Sequence, residues 1–215
     1  MGQSLSKAII FDFDGTLVDS EKAIYECFQI ITRRIAPERE IYAKNILIGP
    51  PLRDTASEIL GPEKQVLLDE FVQSFITMHD EQVIRHTQPY PDVIKVLKKL
   101  HSKNISMAVA TNKRLAPTQK LIHHFGWNDY FSSIECSDSQ PEMRNKDAMI
   151  QDIINQNESF QGSFFVGDTV NDGLPANLNQ LTFIKACYGY GRDQDWTKVN
   201  IYSEIHQFIE ILELI

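Results

Sequence analysis

No apolar run in this chain approaches the roughly 20 residues that cross a bilayer, and it holds no repeat or low-complexity stretch. A C-x-x-C pair is also missing. The three cysteines, Cys27, Cys136 and Cys187, are an odd number in apolar surroundings, and they read as reduced, buried thiols rather than as a disulfide or a zinc site. Positive charge is scarce, with 21 Lys and Arg against 29 Asp and Glu and a formal net charge of −8. That balance argues against binding a nucleic-acid backbone as the main task. It leaves room for a small phosphorylated ligand, which responds to the local field of its pocket and to any bound cation more than to net charge. Residues 1–7 lack the apolar stretch of a signal peptide. Met1-Gly2 followed by Ser6 fits an N-acylation pattern, but the pattern is short and common and is read as incidental. The expectation is a cytoplasmic protein, monomeric or homodimeric, with neither membrane nor nucleic acid as partner.

What is present suits one substantial domain with a smaller insertion: 215 residues, 42% hydrophobic and 23% charged. Residues 8–13 (AIIFDF) form an apolar run closed by Gly15-Thr16, as a buried parallel strand would be. The pattern recurs at 105–110 (ISMAVA, then Thr111-Asn112) and 163–167 (SFFVG, then Asp168-Thr169). Amphipathic stretches at 92–101, 117–124 and 146–155 lie between these strands. In the first, Val93, Val96, Leu97 and Leu100 make an apolar face and the lysines its solvated side. This alternation predicts an α/β fold, a parallel-sheet, Rossmann-like core with helices on both faces and its ligand beyond the carboxyl ends of the strands. Residues 18–85 instead read as almost wholly helical, in stretches 20–35, 38–47, 52–60 and 62–83 punctuated by Gly49-Pro50-Pro51 and Gly61-Pro62. The predicted division is a core of 1–17 and 86–215 and an inserted all-helical cap of 18–85. Residues 203–215, with Ile205, Phe208, Ile209, Leu212 and Ile215 at helical spacing, are expected to form a core-covering helix.

The chemistry concentrates where the strands end. Asp12 and Asp14 are two apart, so in extended geometry their side chains share a face and Phe13 points away. Two carboxylates in one site repel unless a proton or cation intervenes. Magnesium suits them, because it takes hard oxygen ligands and is commonly held by one or two carboxylates together with substrate phosphate. Asp168 could complete the site, with Asp172 close behind. A helix cap is the commoner reading of one Asp after a strand, but capping does not account for both acid pairs.

Asp12-Phe13-Asp14-Gly15-Thr16-Leu17-Val18-Asp19-Ser20 resembles the first motif of the haloacid dehalogenase-like hydrolase superfamily. Thr111-Asn112 resembles the second motif, Lys146 at a helix start the third, and residues 168–172 the last. The four occur in order, and the helical insertion sits where the family's small helical cap sits. The resemblance implies Asp12 as nucleophile and Asp14 as general acid and base. It implies Thr111 and Asn112 as ligands of the transferring phosphoryl group and Lys146 as the cation beside it. Magnesium would be held by the Asp12 carboxylate, the Asp14 backbone carbonyl and Asp168, with Asp172 in support. Lys146 is followed by Asp147 where proline is often found, and Arg144 lies close by, so either cation could serve the third motif. Arg53, after Gly49-Pro50-Pro51-Leu52, is a candidate substrate contact because phosphoglycolate phosphatase-like relatives present a cap loop to the active site. His79, His86, His101, His123 and His124 lack ligand spacing and are read as surface or helix-end residues. Within the superfamily, the carboxylate of Asp14 argues for phosphate esters over carbon–halogen or carbon–phosphorus bonds. The implied function is a magnesium-dependent phosphatase acting on a phosphoglycolate-like or sugar phosphate through an aspartyl-phosphate. A sugar phosphomutase and a non-catalytic phospholigand-binding protein are the alternatives.

Overall fold

The computed structural model describes residues 8–215; the Met1-Gly2 and Ser6 pattern lies outside them. Six parallel strands make the main sheet, in the order β5-β4-β1-β6-β7-β8. They are β1 (Ala8–Phe11), β4 (Ser106–Thr111), β5 (Ser133–Cys136), β6 (Phe164–Gly167), β7 (Thr182–Ala186) and β8 (Ser203–Ile205). The strands expected at 8–13, 105–110 and 163–167 are the central three, whose both-sided burial makes them legible as apolar runs. β5, β7 and β8 lie toward the edges, carry exposed or polar positions and escape that criterion.

Both faces of the sheet are covered because alternate strand residues point to opposite sides. Ile9 and Phe11 of β1 and Met107 and Val109 of β4 enter one core with α5 (Val93–Ser102), α6 (Leu115–His124) and α9 (Ile211–Leu214). Ala8, Ile10, Ala108 and Ala110 enter a second core with α7 (Lys146–Gln156) and α8 (Val170–Leu178). Between β1 and the rest of the sheet, residues Val18–Asp19 (β2) and Gln88–Pro89 (β3) pair antiparallel as a two-stranded ribbon. From this stem rise α1 (Glu21–Ile35), α2 (Glu40–Ala43), α3 (Leu52–Leu60) and α4 (Leu68–His86). They bury a third cluster of their own around Cys27, Phe28, Ile31, Ile59, Phe71 and Phe75. Among the described residues no helix is long and apolar enough to cross a membrane.

Three sequence expectations are corrected. The helix expected over 203–215 begins instead as β8, whose Ser203, Glu204 and Ile205 pair in parallel with Ile184, Lys185 and Ala186. Only Ile211–Leu214 is α-helical, after a 3₁₀ turn at Phe208–Glu210. The apolar spacing was real, since Ile205, Phe208 and Ile211 are all buried, but backbone pairing to β7 outweighed local periodicity. The helix expected over 38–47 shrinks to α2, where the Asn45 side chain donates to the Ile41 carbonyl at 3.0 Å and competes with continuation. The stretch 62–83 opens as a 3₁₀ segment, Pro62–Leu67, before α4 runs on to His86.

If the two-sided core carries the stability, Ile10→Ala should cost about 2–5 kcal/mol, because Ile10 is fully buried between β4 and β6. Val66→Ala, at an exposed position, should change stability by less than about 0.5 kcal/mol. Urea denaturation of the two variants checks the contrast.

Candidate active site

Strand β1 ends at Phe11, but Asp12 stays fastened to the sheet because its N–H donates to the Val166 carbonyl of β6 at 2.9 Å. The chain then turns tightly, with Leu17 N–H bonded to the Phe13 carbonyl at 2.9 Å and Gly15 at φ +82°. Gly15 lies against the Asp168 carboxylate, and a side chain there would collide with it. Gly189 presses on Asp168 from another side with equally little room. These two clearances let three loops close around one carboxylate. Asp168 then accepts the Thr16 hydroxyl at 3.1 Å and the Tyr190 N–H at 2.6 Å.

Asp12, Asp168 and Asp172 are 6%, 1% and 0% exposed, and each offers a carboxylate oxygen within 4.8 Å of the others. The cation among them is Lys146, the first residue of α7, whose preceding Asn145 caps the helix by accepting the Ala148 N–H at 2.9 Å. Lys146 Nζ donates to Asp12 Oδ1 at 2.8 Å and also to Asp172 Oδ1. Arg144 is thereby removed from contention, since its guanidinium is bound to Glu135 and Asp152. Asp172 has a second task that the sequence reading set aside. Its other oxygen accepts the Thr169 N–H at 2.8 Å and the Thr169 hydroxyl at 2.7 Å, so it caps α8 while holding Lys146.

Asp14 is separated from this trio. Its carboxylate accepts the Ser20 hydroxyl at 2.6 Å and pairs with Lys113 Nζ at 3.0 Å through both oxygens. The expectation that Asp12 and Asp14 present their carboxylates together is therefore modified, because the turn after Phe13 gives each acid its own lysine. Lys113 is the residue the motif reading missed. It directly follows Thr111-Asn112 in the turn leaving β4, and that adjacency to a motif at a strand end was the available signal. Thr111, buried at the end of β4, lines the same cavity as Asp12, Asp14 and Asn112. The Asn112 amide donates to the Gly49 carbonyl at 2.8 Å, tying the core to the helical segment. Arg53 is not brought to the site: it pairs with Asp69 at 2.8 Å on the exposed side of α3, while Leu52 and Thr55 line the cavity. A neighbour in sequence lies about 100° around a helix, which is why position 53 faces outward.

The electrostatics of the trio are unbalanced. Burial pushes the Asp12 carboxyl up to about 7 against the attraction of Lys146, and Asp172 adds repulsion. Burial, then the charges of Asp172 and Asp12, drive Asp168 well above the usual carboxylate range. Burial opposes the charge on Lys146, but Asp12 and Asp172 outweigh it and raise its pKa. Three buried acids thus share one cation, and the shortfall is of the size and kind a divalent metal would supply through hard oxygen donors. A second group of possible ligands, Cys187, Glu204 and His206, is half-exposed to exposed, and its Glu204 is already paired with Lys185 at 2.8 Å. The buried trio is the better metal candidate.

Residues 9–186 match the family described as haloacid dehalogenase-like hydrolase. The chain is 26% identical over 217 residues to a phosphoglycolate phosphatase of Psychrobacter arcticus, covering 95% of this chain and 94% of that one. It is 29% identical over 196 residues to a phosphoglycolate phosphatase of Agrobacterium fabrum, covering 86% and 82%. The solved structure of a haloacid dehalogenase-like family hydrolase from Streptococcus pneumoniae superposes with a TM-score of 0.82 at 24% identity, covering 98% of each chain. That likeness establishes the fold.

The raised carboxyl values fix the sign of a metal effect. Asp12 ionises near 3.8 when exposed and near 7 in the fold, so the folded state holds an extra proton between those values and stability falls as pH rises through them. A divalent cation binds the ionised form and opposes that loss. The rise in Tm on adding magnesium should be larger at about pH 8 than at about pH 5, as read by calorimetry. An equal rise at both would rule out binding at these acids.

Proposed function

Because the chain belongs to the haloacid dehalogenase-like hydrolases, we propose that it is a magnesium-dependent phosphatase that hydrolyses a small phosphate monoester through an aspartyl-phosphate on Asp12. The supporting observation is the division of labour between two acids. Asp12 sits with Lys146 beside Asp168 and Asp172, while Asp14 stands apart with Ser20 and Lys113. Several relatives bear the name phosphoglycolate phosphatase, which supports a small phosphorylated metabolite as substrate.

In the first step the Asp12 carboxylate forms a bond to phosphorus as the ester P–O bond breaks, and Asp14 gives its proton to the departing oxygen. In the second, water attacks the phosphoryl group, Asp14 takes the water proton, and inorganic phosphate leaves with the Asp12 carboxylate restored. Lys146 keeps Asp12 oriented and balances negative charge beside it. Thr111 and Asn112 line the cavity with Asp12 and would receive phosphoryl oxygens, Asn112 through the amide hydrogen that the Gly49 carbonyl does not take. Magnesium, held by the Asp12 carboxylate, the Asp14 backbone carbonyl and Asp168 with Asp172 in support, would supply compensation for the equatorial charge. Residues 18–85 would serve as a cap over the core, of which residues 8–17 and 86–215 are described, and would shield the reaction from bulk water.

Asp12→Asn should lower phosphate release by at least about 10³-fold without changing the fold, as removal of a covalent nucleophile does elsewhere. Near-normal rates in that variant would defeat the mechanism. With an activated aryl phosphate, whose leaving group needs little protonation, Asp14→Asn should slow the second step more than the first. A phosphoryl adduct on Asp12 should then accumulate in a rapid-quench mass spectrum.

A further inference from the structure

Away from the buried acids, a second set of metal-ligating side chains converges at the edge of the sheet. Strands β7 and β8 pair in parallel, with Lys185 beside Glu204 and Ala186 beside Ile205. The Cys187 N–H continues the pairing by donating to the Ile205 carbonyl at 2.8 Å. Ala186 and Ile205 are buried in the core. Side chains alternate along a strand, so their chain neighbours Lys185, Cys187, Glu204 and His206 are set on the other side. One ligand atom from each of Cys187, Glu204 and His206 lies within 4.8 Å of the other two.

These donors have capacity to spare. Cys187 is a free, half-buried thiol. The His206 ring makes no hydrogen bond among the described residues; only its backbone N–H is engaged, donating to Glu210 Oε2 at 2.9 Å. Glu204 meets Lys185 through Oε1 at 2.8 Å and keeps its second oxygen. Lys185 is the local competitor for a cation, but it also lies 4.7 Å over the Trp196 ring, so its ammonium keeps a favourable place when the carboxylate turns to another partner. Burial raises the Cys187 thiol, Lys185 opposes the rise, and Glu204 and Glu210 add to it. The negative field of those two acids, which disfavours a bare thiolate, favours a divalent cation at the same point.

We propose that Cys187, Glu204 and His206 form a surface binding site for a divalent cation of the zinc class, with the fourth position open to water. Thiolate, imidazole and carboxylate are the donors this class takes, whereas magnesium prefers oxygen throughout. Tetrahedral bonds of about 2.0–2.3 Å set ligand atoms roughly 3.3–3.8 Å apart. The three side chains must therefore close by no more than about 1.5 Å from their present separations. Glu204 and His206 are exposed and can move that far without disturbing the core. The chain then carries two metal sites sorted by donor chemistry, hard oxygen at Asp12, Asp168 and Asp172 and softer sulfur and nitrogen at the β7–β8 edge.

The test is titration of the fully reduced protein with cobalt(II), followed by sulfur-to-cobalt charge-transfer absorption in the near ultraviolet. Excess magnesium is present, and cobalt bound at the buried acids has no sulfur ligand and gives no such band. The band should saturate at one cobalt per chain and disappear on adding zinc. It should be absent from Cys187→Ser, and His206→Ala should weaken cobalt binding by at least about tenfold. No band in the unmodified chain, a band retained in Cys187→Ser, or an unchanged affinity in His206→Ala overturns the site. Saturation at half an equivalent assigns the metal to a bridge between two chains and overturns it as well. None of these results touches the phosphatase reading, which rests on other residues.

Discussion

One buried ammonium holds the site together. Lys146 joins Asp12, from the end of β1, to Asp172, from the first turn of α8, so two elements far apart in sequence are tied by a single side chain. With Asp168 added, the acids still outnumber the cation, and taking them out of water is expensive. The fold tolerates this because each carboxylate has further partners. Thr16 and the Tyr190 N–H serve Asp168, and the Thr169 N–H and hydroxyl serve Asp172. What is left over is an electrostatic shortfall that suits a divalent cation. Burial, with the charge of Asp172, raises the Asp12 carboxyl against the pull of Lys146.

The architecture explains how such a cluster is assembled. In a parallel sheet every strand delivers its carboxyl end to the same edge, so β1, β4 and β6 set down Asp12, Thr111 and Asp168 side by side. The two apolar layers on either face hold those strands rigid. The helical segment adds a third apolar cluster of its own, sends Val83 into the core beneath it, and makes polar contacts with the core as well. These include Asn112 to Gly49, Arg114 to Asp80 and Lys120 to the Asp80 carbonyl at 2.7 Å. Tyr190 completes the closure by accepting the Ser20 N–H at 2.8 Å on its hydroxyl while its own N–H serves Asp168. Chemistry and enclosure thus share residues on the same short loops.

The cavity has two unlike sides. The core contributes Asp12, Asp14, Thr111, Asn112 and Lys113, and the helical segment contributes mainly apolar side chains, among them Ile24, Phe28, Leu47 and Phe75.

The sequence by itself determined the central strands, their Asp and Thr termini, and the helical character of 18–85, because fully buried strands and amphipathic helices write their periodicity locally. It also carried Asp12, Thr111, Lys146, Asp168 and Asp172 to one neighbourhood. Tertiary structure decided what local pattern could not express. It chose Lys146 over Arg144, since the direction a side chain takes from a helix start depends on what lies across the gap. It separated Asp14 from Asp12 and gave it Lys113, through a turn whose shape depends on Gly15 lying against Asp168. It sent Arg53 outward to Asp69 by one step of helical rotation. It also turned residues 203–205 into an edge strand, because pairing with β7 is a long-range contact that overrode a helical spacing of apolar residues. In each case the deciding interaction joins residues distant in sequence, and its energy is absent from any local window.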